Sequence, residues 1–158
     1  MSVAERLVVG LAGPTLAPQE REWLVRWQPA GVILFTRNAG EGGAFARLMA
    51  DLRDVLPPGA EICADHEGGA VSFLAAVAGR PPAARTLGDL DQPDLTERVH
   101  RETGQRLRDL GLDRVLAPCC DVLREPRNPV IGARSFGADA GRVARHAVAA
   151  ARGLCASG

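Results

Sequence analysis

Three ionisable side chains stand together where an apolar segment ends, in the stretch EICADHEGGA (residues 61–70). Asp65, His66 and Glu67 follow an Ile-Cys-Ala segment and precede two glycines. Such side chains are poor material for a core, because a buried charge must be paired or neutralised. The pattern therefore predicts a strand that delivers polar groups to a site at its carboxyl end.

The sequence contains few signs of a metal site, a disulfide framework, a nucleotide site or a serine nucleophile. Cys63 and His66 have a Cys-x-x-His spacing beside Asp65, but no second ligand pair accompanies them, so we predict no metal site. The four cysteines form no CxxC pair, and we expect them to be reduced and buried. No P-loop, GxGxxG or GxSxG motif is present, which argues against a nucleotide site or a serine nucleophile.

The bulk composition indicates one globular domain of 158 residues, with 46% hydrophobic and 24% charged residues. The 19 basic and 19 acidic side chains balance, so nucleic acid and anionic membranes are not expected as partners. The apolar run at residues 7–12 is too short for a membrane span or a signal peptide. We therefore expect a cytoplasmic protein.

Short apolar runs alternate four times with amphipathic stretches of helical spacing. The predicted strands are residues 7–13, 31–37, 61–65 and 113–123, and the predicted helices are residues 18–27, 43–56, 95–111 and 140–154. Residues 68–94 and 124–139 are predicted to be long loops, with Asp139 as the N-cap of the last helix. The alternation indicates an α/β fold of parallel βα units, whose functional site lies at the carboxyl ends of the strands.

Four sequence blocks resemble the amino-terminal (β/α)8-barrel domain of glycoside hydrolase family 3, and most closely its bacterial β-N-acetylhexosaminidase branch. They are GVILFTRN (31–38), DHEGGAV (65–71), LAPCCDV (116–122) and NPVIGARSFGAD (128–139). The resemblance implies that residues 1–158 form a single partial domain, the first half of a TIM barrel. A small doubly wound sheet of flavodoxin type is the alternative. Strand order separates the two, because the doubly wound order reverses near the first strand.

The resemblance also implies a function, the hydrolysis of O-glycosyl bonds, with terminal β-linked N-acetylglucosamine of cell-wall glycans as substrate. The mechanism would be retaining, through a covalent intermediate on a carboxylate, and would need no cofactor. Asp65 matches the family's substrate-binding aspartate, and Arg134 matches an arginine that contacts the sugar. A carbohydrate is thus the expected partner.

This sequence departs from the family pattern at several positions. His66 and Ala70 replace a glutamine and an arginine, and Phe73 stands where a second sugar-binding arginine is expected. We expect the catalytic residues, an acid/base histidine and a nucleophilic aspartate, to lie beyond Gly158. A non-catalytic or vestigial carbohydrate-binding fragment is therefore the alternative function. A half barrel also leaves two unpaired strand edges, which predicts self-association or a missing carboxyl-terminal half.

Some side chains at the predicted site have structural alternatives. Asp65 could cap loop amides, and Glu67 could touch a ligand or bind backbone amides. Arg134 could pair with Asp121 or Asp139, and we expect Asp121 to organise its loop. The three histidines are predicted to be exposed to solvent: His66 in a loop, His100 and His146 within helices.

Overall fold

A computed structural model describes residues 3–41 and 43–156 as alternating strands and helices. In chain order the strands are β1 (Val8–Gly10), β2 (Gly31–Leu34), β3 (Glu61–Gly68), β4 (Val71–Ser72) and β5 (Arg114–Leu116). The α-helices are α1 (Pro18–Trp27), α2 (Ala44–Val55), α3 (Ala75–Ala78), α4 (Ala84–Leu90), α5 (Pro93–Asp109) and α6 (Ala140–Cys155). Short 3-10 helices span Ala4–Arg6, Thr36–Asn38 and Gly132–Arg134.

Four strands form a parallel sheet in the sequential order β1-β2-β3-β5. The remaining strand, β4, pairs antiparallel with the carboxyl end of β3 in a short hairpin. The sequential order confirms the predicted first half of a (β/α)8 barrel, in which successive strands are neighbours. It excludes the flavodoxin-type alternative, whose strand order reverses next to the first strand.

The main core lies between the sheet and the helices. Alternate residues of β2 and β3 enter this core, because successive side chains of a strand point to opposite faces. Four of them are fully buried: Val32, Leu34, Ile62 and Ala64. The apolar stripe predicted on the second helix packs against them through Phe45, Leu48, Met49 and Leu52. The intervening residues of each strand therefore face the opposite side of the sheet.

The stretch between β3 and α5 is more regular than predicted. Residues 68–94 were expected to form a loop, but they contain β4, α3 and α4. These elements have two, four and seven residues, so they are too short to produce a recognisable period in the sequence. Contacts with the rest of the chain hold them: Gly88 of α4 lies directly against the backbone of Phe136.

The fourth strand of the parallel sheet is shorter than predicted. The expected strand covered residues 113–123, whereas β5 ends at Leu116. Pro118 follows closely, and its backbone nitrogen has no hydrogen to donate to a neighbouring strand. Residues 117–123 therefore leave the sheet as irregular chain, although their apolar composition is that of a strand.

Helices α5 and α6 pack against each other and lie within two residues of their predicted limits. Asp139 caps α6 as predicted, accepting a hydrogen bond from the Arg142 backbone N–H at 2.7 Å. The prediction that His100 and His146 are solvated is wrong, because both are buried between the helices. His146 lies 2.8 Å from the Thr96 hydroxyl, so its ring joins the two helices through a hydrogen bond.

The sheet is open at both edges. Within residues 3–41 and 43–156, β1 pairs only with β2, and β5 pairs only with β3 among the parallel strands. The sheet face turned away from the helices is uncovered: Val8 at one edge is 49% exposed, and Leu116 at the other is 44% exposed. The predicted unpaired edges are thus present. In the same part of the chain, no helix combines the length and apolarity needed to cross a bilayer.

Candidate functional site

Strand β3 delivers the predicted polar cluster to the open face of the sheet. It runs to Gly68, three residues beyond its predicted end at Asp65. Strand alternation turns Asp65 and Glu67 to the open face and His66 to the helix side. The predicted exposed loop histidine is therefore wrong, because His66 lies within the strand and is only 1% exposed.

Glu67 and Arg134 form a bidentate ion pair across the site. The Nε and Nη2 groups of Arg134 donate to the two carboxylate oxygens of Glu67 at 2.8 and 2.7 Å. These hydrogen bonds raise the pKa of Arg134 above its ordinary value. The residue that orients Arg134 is thus Glu67, and the alternatives of Asp121 and Asp139 are wrong. Glu67 is the less exposed partner, with 10% of its side chain accessible.

Asp65 is the carboxylate that remains available for a ligand. It is half-buried, and its side chain accepts no hydrogen bond from any other residue in the described part of the chain. Partial burial raises the pKa of Asp65, the negative charge of Glu67 raises it further, and the positive charge of Arg134 opposes both effects. Asp65 therefore does not cap loop amides, and its side-chain oxygens have no hydrogen-bond donor among the described residues.

The loop that carries Arg134 is held by its own polar side chains. The Asn128 side-chain oxygen accepts hydrogen bonds from the backbone N–H groups of Val130 and Ile131, at 2.9 and 3.1 Å. The Ser135 hydroxyl lies 2.6 Å from the backbone oxygen of Asp121, to which it donates. Asp121 thus helps to organise the loop, as predicted, through its backbone. A cavity of about 310 Å³ lies between this loop and residues 68–71.

An aromatic pair lies beside Asp65. The Phe35 and Phe73 ring centroids are 5.8 Å apart, and the Phe73 backbone N–H donates to the Asp65 backbone oxygen at 3.2 Å. The Arg37 guanidinium lies over the Phe35 ring at 4.5 Å and donates to the Leu11 oxygen at 2.7 Å. Arg37 is one of the polar residues, Thr36 to Asn38, that the sequence places at the end of the second strand, but the sequence does not predict its contact with Phe35.

His66 supports the β3–β4 hairpin from the helix side of the sheet. Its Nε2 lies 3.1 Å from the Gly79 carbonyl oxygen, so Nε2–H donates there in the neutral ring. Burial lowers the pKa of His66, which favours that neutral form, and Nδ1 has no hydrogen-bond partner in the described part of the chain. His66 therefore connects β3 to the loop after α3 and has no direct access to a ligand.

The cysteines are free thiols and group into no metal site. Cys63 is buried and Cys119 is half-buried, but Cys120 and Cys155 are exposed, so the expectation of four buried cysteines is only partly correct. Among residues 3–41 and 43–156, no three His, Cys, Asp or Glu side chains lie close enough together to hold a metal ion.

The fold and the site together define a class of protein. A sequential parallel sheet with its polar groups at the carboxyl ends of the strands is the arrangement of a (β/α)8-barrel enzyme. The model of the glycosyl hydrolase family 3 N terminal domain matches residues 4–158, and the chain therefore belongs to this family.

Relatives and solved structures agree with this assignment. A β-hexosaminidase of Stenotrophomonas maltophilia (strain R551-3) is 35% identical over 96% of this chain, which covers 47% of that protein. The family 3 β-N-acetylglucosaminidase from Paenibacillus sp. str. FPU-7 superposes with a TM-score of 0.91 at 31% identity, over 98% of this chain and 30% of that one. NagZ from Neisseria gonorrhoeae, in complex with N-trifluoroacetyl-D-glucosamine, gives 0.87 at 30% identity, over 96% and 47%. The chain thus spans about half the length of the curated relatives that it matches.

Proposed function

We propose that this chain forms the saccharide-binding half of a glycosidase that releases terminal N-acetylglucosamine from β-linked glycans such as cell-wall fragments. The observation that carries the proposal is the Asp65 carboxylate, which has no hydrogen-bond partner among the described residues and lies on the same sheet face as the Glu67–Arg134 ion pair. The named activities of the β-hexosaminidase and β-N-acetylglucosaminidase relatives support the choice of sugar.

Each charged group has a distinct task in this proposal. The Asp65 carboxylate accepts hydrogen bonds from sugar hydroxyls. Glu67 and the Val130 oxygen use three of the five N–H groups of Arg134, which leaves one on Nη1 and one on Nη2 to donate to the sugar. Because Glu67 fixes the plane of the guanidinium, less side-chain freedom is lost when a sugar binds.

The bond-breaking step of a retaining glycosidase needs two further groups, a nucleophilic carboxylate and an acid/base residue. Glu67 is engaged with Arg134, and Asp65 is assigned to the sugar hydroxyls. We therefore propose that neither Glu67 nor Asp65 serves as the nucleophile or as the acid/base group. The engagement of Glu67 also favours a second candidate function, saccharide binding without turnover by the chain itself.

Calorimetric titration with N-acetylglucosamine tests the site. Asp65→Asn should weaken binding about 10- to 100-fold, because it replaces a charge-assisted hydrogen bond worth about 1.5–3 kcal/mol. Asp89→Asn, at an exposed position of α4, is the matched control and should leave binding unchanged. Equal affinities of the wild type and Asp65→Asn would contradict the proposal.

Hydrolysis of a chromogenic β-N-acetylglucosaminide separates the two candidate functions. Sugar binding without product release supports the binding function of this chain. Turnover that disappears in Asp65→Ala supports catalysis by the chain itself and would make Glu67 or Asp121 the candidate nucleophile. Glu67→Gln should weaken sugar binding in either case, since Arg134 then loses the charge that orients it.

A further inference from the structure

Two phenylalanine rings lie beside Asp65 at the carboxyl ends of β2 and β3. Phe35 follows Leu34, which pairs with Ala64, and its backbone is still extended. Strand alternation therefore turns Phe35 to the same face as its cross-strand neighbour Asp65. The Phe73 N–H donates to the Asp65 backbone oxygen, so these two residues stand opposite each other in the β3–β4 hairpin and share a face. Both rings thus adjoin the carboxylate that the proposed function assigns to sugar hydroxyls.

Contacts among residues 10–73 hold the two rings in place. Their centroids are 5.8 Å apart, and their planes are tilted by 40°. The guanidinium of Arg37 covers one face of the Phe35 ring, and the Leu11 backbone oxygen anchors that guanidinium at 2.7 Å. Phe73 is half-buried and has no cation contact and no second ring contact in the described part of the chain. Phe73 is therefore the ring of the pair that can take a further stacking partner.

Gly10 of β1 makes room for this arrangement. It pairs with Ile33 of β2. A Cβ at Gly10 would lie 3.4 Å from Cε2 of Phe35 and 3.2 Å from Nη2 of Arg37, so a larger residue would press on both groups. Gly10 is not among the described residues with a positive φ, so close approach and not backbone conformation favours glycine here. The Phe35 ring therefore has a defined seat over the backbone of β1.

We propose that Phe73 stacks against the C–H face of the saccharide whose hydroxyls Asp65 binds, and that Phe35 positions the Phe73 ring. This inference rests on the proposed function and adds a specificity-determining residue to it. A pyranose ring carries its hydroxyl groups around the rim and C–H groups on its two faces. A carboxylate acceptor next to an aromatic ring matches both kinds of surface, and ligand sites commonly combine apolar walls with a few polar groups.

A purely structural role for the aromatic pair predicts a different result. If the pair only joined the β3–β4 hairpin to β2, replacing Phe73 by leucine would lower the free energy of unfolding and leave the sugar affinity of the folded protein unchanged. Stacking requires the affinity to fall in a variant that is still folded. Sugar binding and urea unfolding measured on the same variants therefore separate the two roles.

Nuclear magnetic resonance of the wild-type chain with methyl N-acetyl-β-glucosaminide tests the stacking directly. Saturation of the phenylalanine ring protons should transfer to the axial hydrogens on one face of the sugar and not to those on the other. The transfer should disappear in Phe73→Leu. Equal transfer to both faces would overturn the proposal, and so would the absence of any transfer from phenylalanine in a sample that binds the sugar.

Calorimetric titration of variants with the same sugar measures the contribution of the ring. Phe73→Leu keeps an apolar side chain without the ring and should weaken binding about 3- to 10-fold. Phe73→Tyr keeps the ring and should bind within about twofold of the wild type. Phe35→Leu should weaken binding less than Phe73→Leu does, because Phe35 acts through Phe73. Weakening by Phe73→Tyr as large as that by Phe73→Leu would contradict the stacking role.

Trp27→Leu is the matched control for the loss of an aromatic ring. Trp27 is exposed and has the guanidinium of Arg26 over its ring at 5.1 Å, but it ends α1 near the amino end of β2, away from Asp65. Its replacement should leave sugar binding unchanged. A wild type that binds no sugar would overturn the proposed function and the stacking together. Weak binding by Asp65→Asn with wild-type binding by Phe73→Leu would overturn the stacking alone.

Discussion

Three charged side chains have different roles in the candidate site. Glu67 is committed to Arg134, Arg134 keeps two N–H groups for a ligand, and Asp65 keeps its carboxylate. Partial burial and the negative charge of Glu67 raise the pKa of Asp65, so its charged form carries an electrostatic cost in this position. A ligand that donates hydrogen bonds to this carboxylate would relieve that cost, which is the behaviour expected of a binding residue.

Two buried histidines predict a loss of stability in mild acid. Burial lowers the pKa values of His66 and His100 below the ordinary value of 6.5. Both are neutral in the folded and unfolded chain above about pH 6.5, so they contribute no pH dependence there. Below about pH 6.5 these histidines bind protons in the unfolded chain but not in the native chain. The free energy of unfolding should therefore fall by up to about 1.4 kcal/mol per pH unit for each histidine.

Urea unfolding between pH 7.5 and 5, at one protein concentration, measures this effect. His66→Gln and His100→Gln should each reduce the change in the free energy of unfolding with pH, because glutamine does not titrate. The window stops at pH 5 because the lowered pKa of Asp91 adds a loss of stability only in stronger acid. A stability that stays level from pH 6.5 to pH 5 would contradict the prediction.

The sequence predicts which residue types form the site better than it predicts their pairings. Asp65 and Arg134 could be singled out because they fall at strand ends and within family blocks. The partner of Arg134 could not, since Glu67 lies 67 residues away in the chain and only the fold brings the two together. The burial of His66 was missed because β3 continues beyond the apolar run that marked it in the sequence.

At the scale of elements, the contact between α5 and α6 holds the last βα unit on the sheet. Gly153 of α6 lies directly against the backbone of α5 at Glu97 and Arg101. Gly153→Ala should therefore destabilise the fold by about 1–3 kcal/mol through overpacking, despite the better helix propensity of alanine. Thermal or urea unfolding measures the change.

Gly13→Ala is the matched control for this substitution. A Cβ at Gly13 meets no heavy atom within 4 Å, so the same chemical change should have little effect on stability. A Gly153→Ala protein as stable as the control would show that the two helices separate easily, contrary to the packing described above.

Long elements were predictable from the sequence, and short ones were not. α1, α2, α5 and α6 have ten or more residues, and their predicted limits agree with the structure within two residues. β4, α3 and α4 are stabilised by tertiary contacts and leave no periodic signal. The early end of β5 has the same explanation, because apolar composition does not reveal where pairing stops.

At the scale of the whole molecule, four βα units make a sheet with a packed helix side and an uncovered opposite side. The alternation of strands and helices predicted this sheet, and the family resemblance predicted its sequential order. The sequence alone does not indicate what covers the open side, because a strand pattern identifies the side chains on a face and not the surface that packs against them.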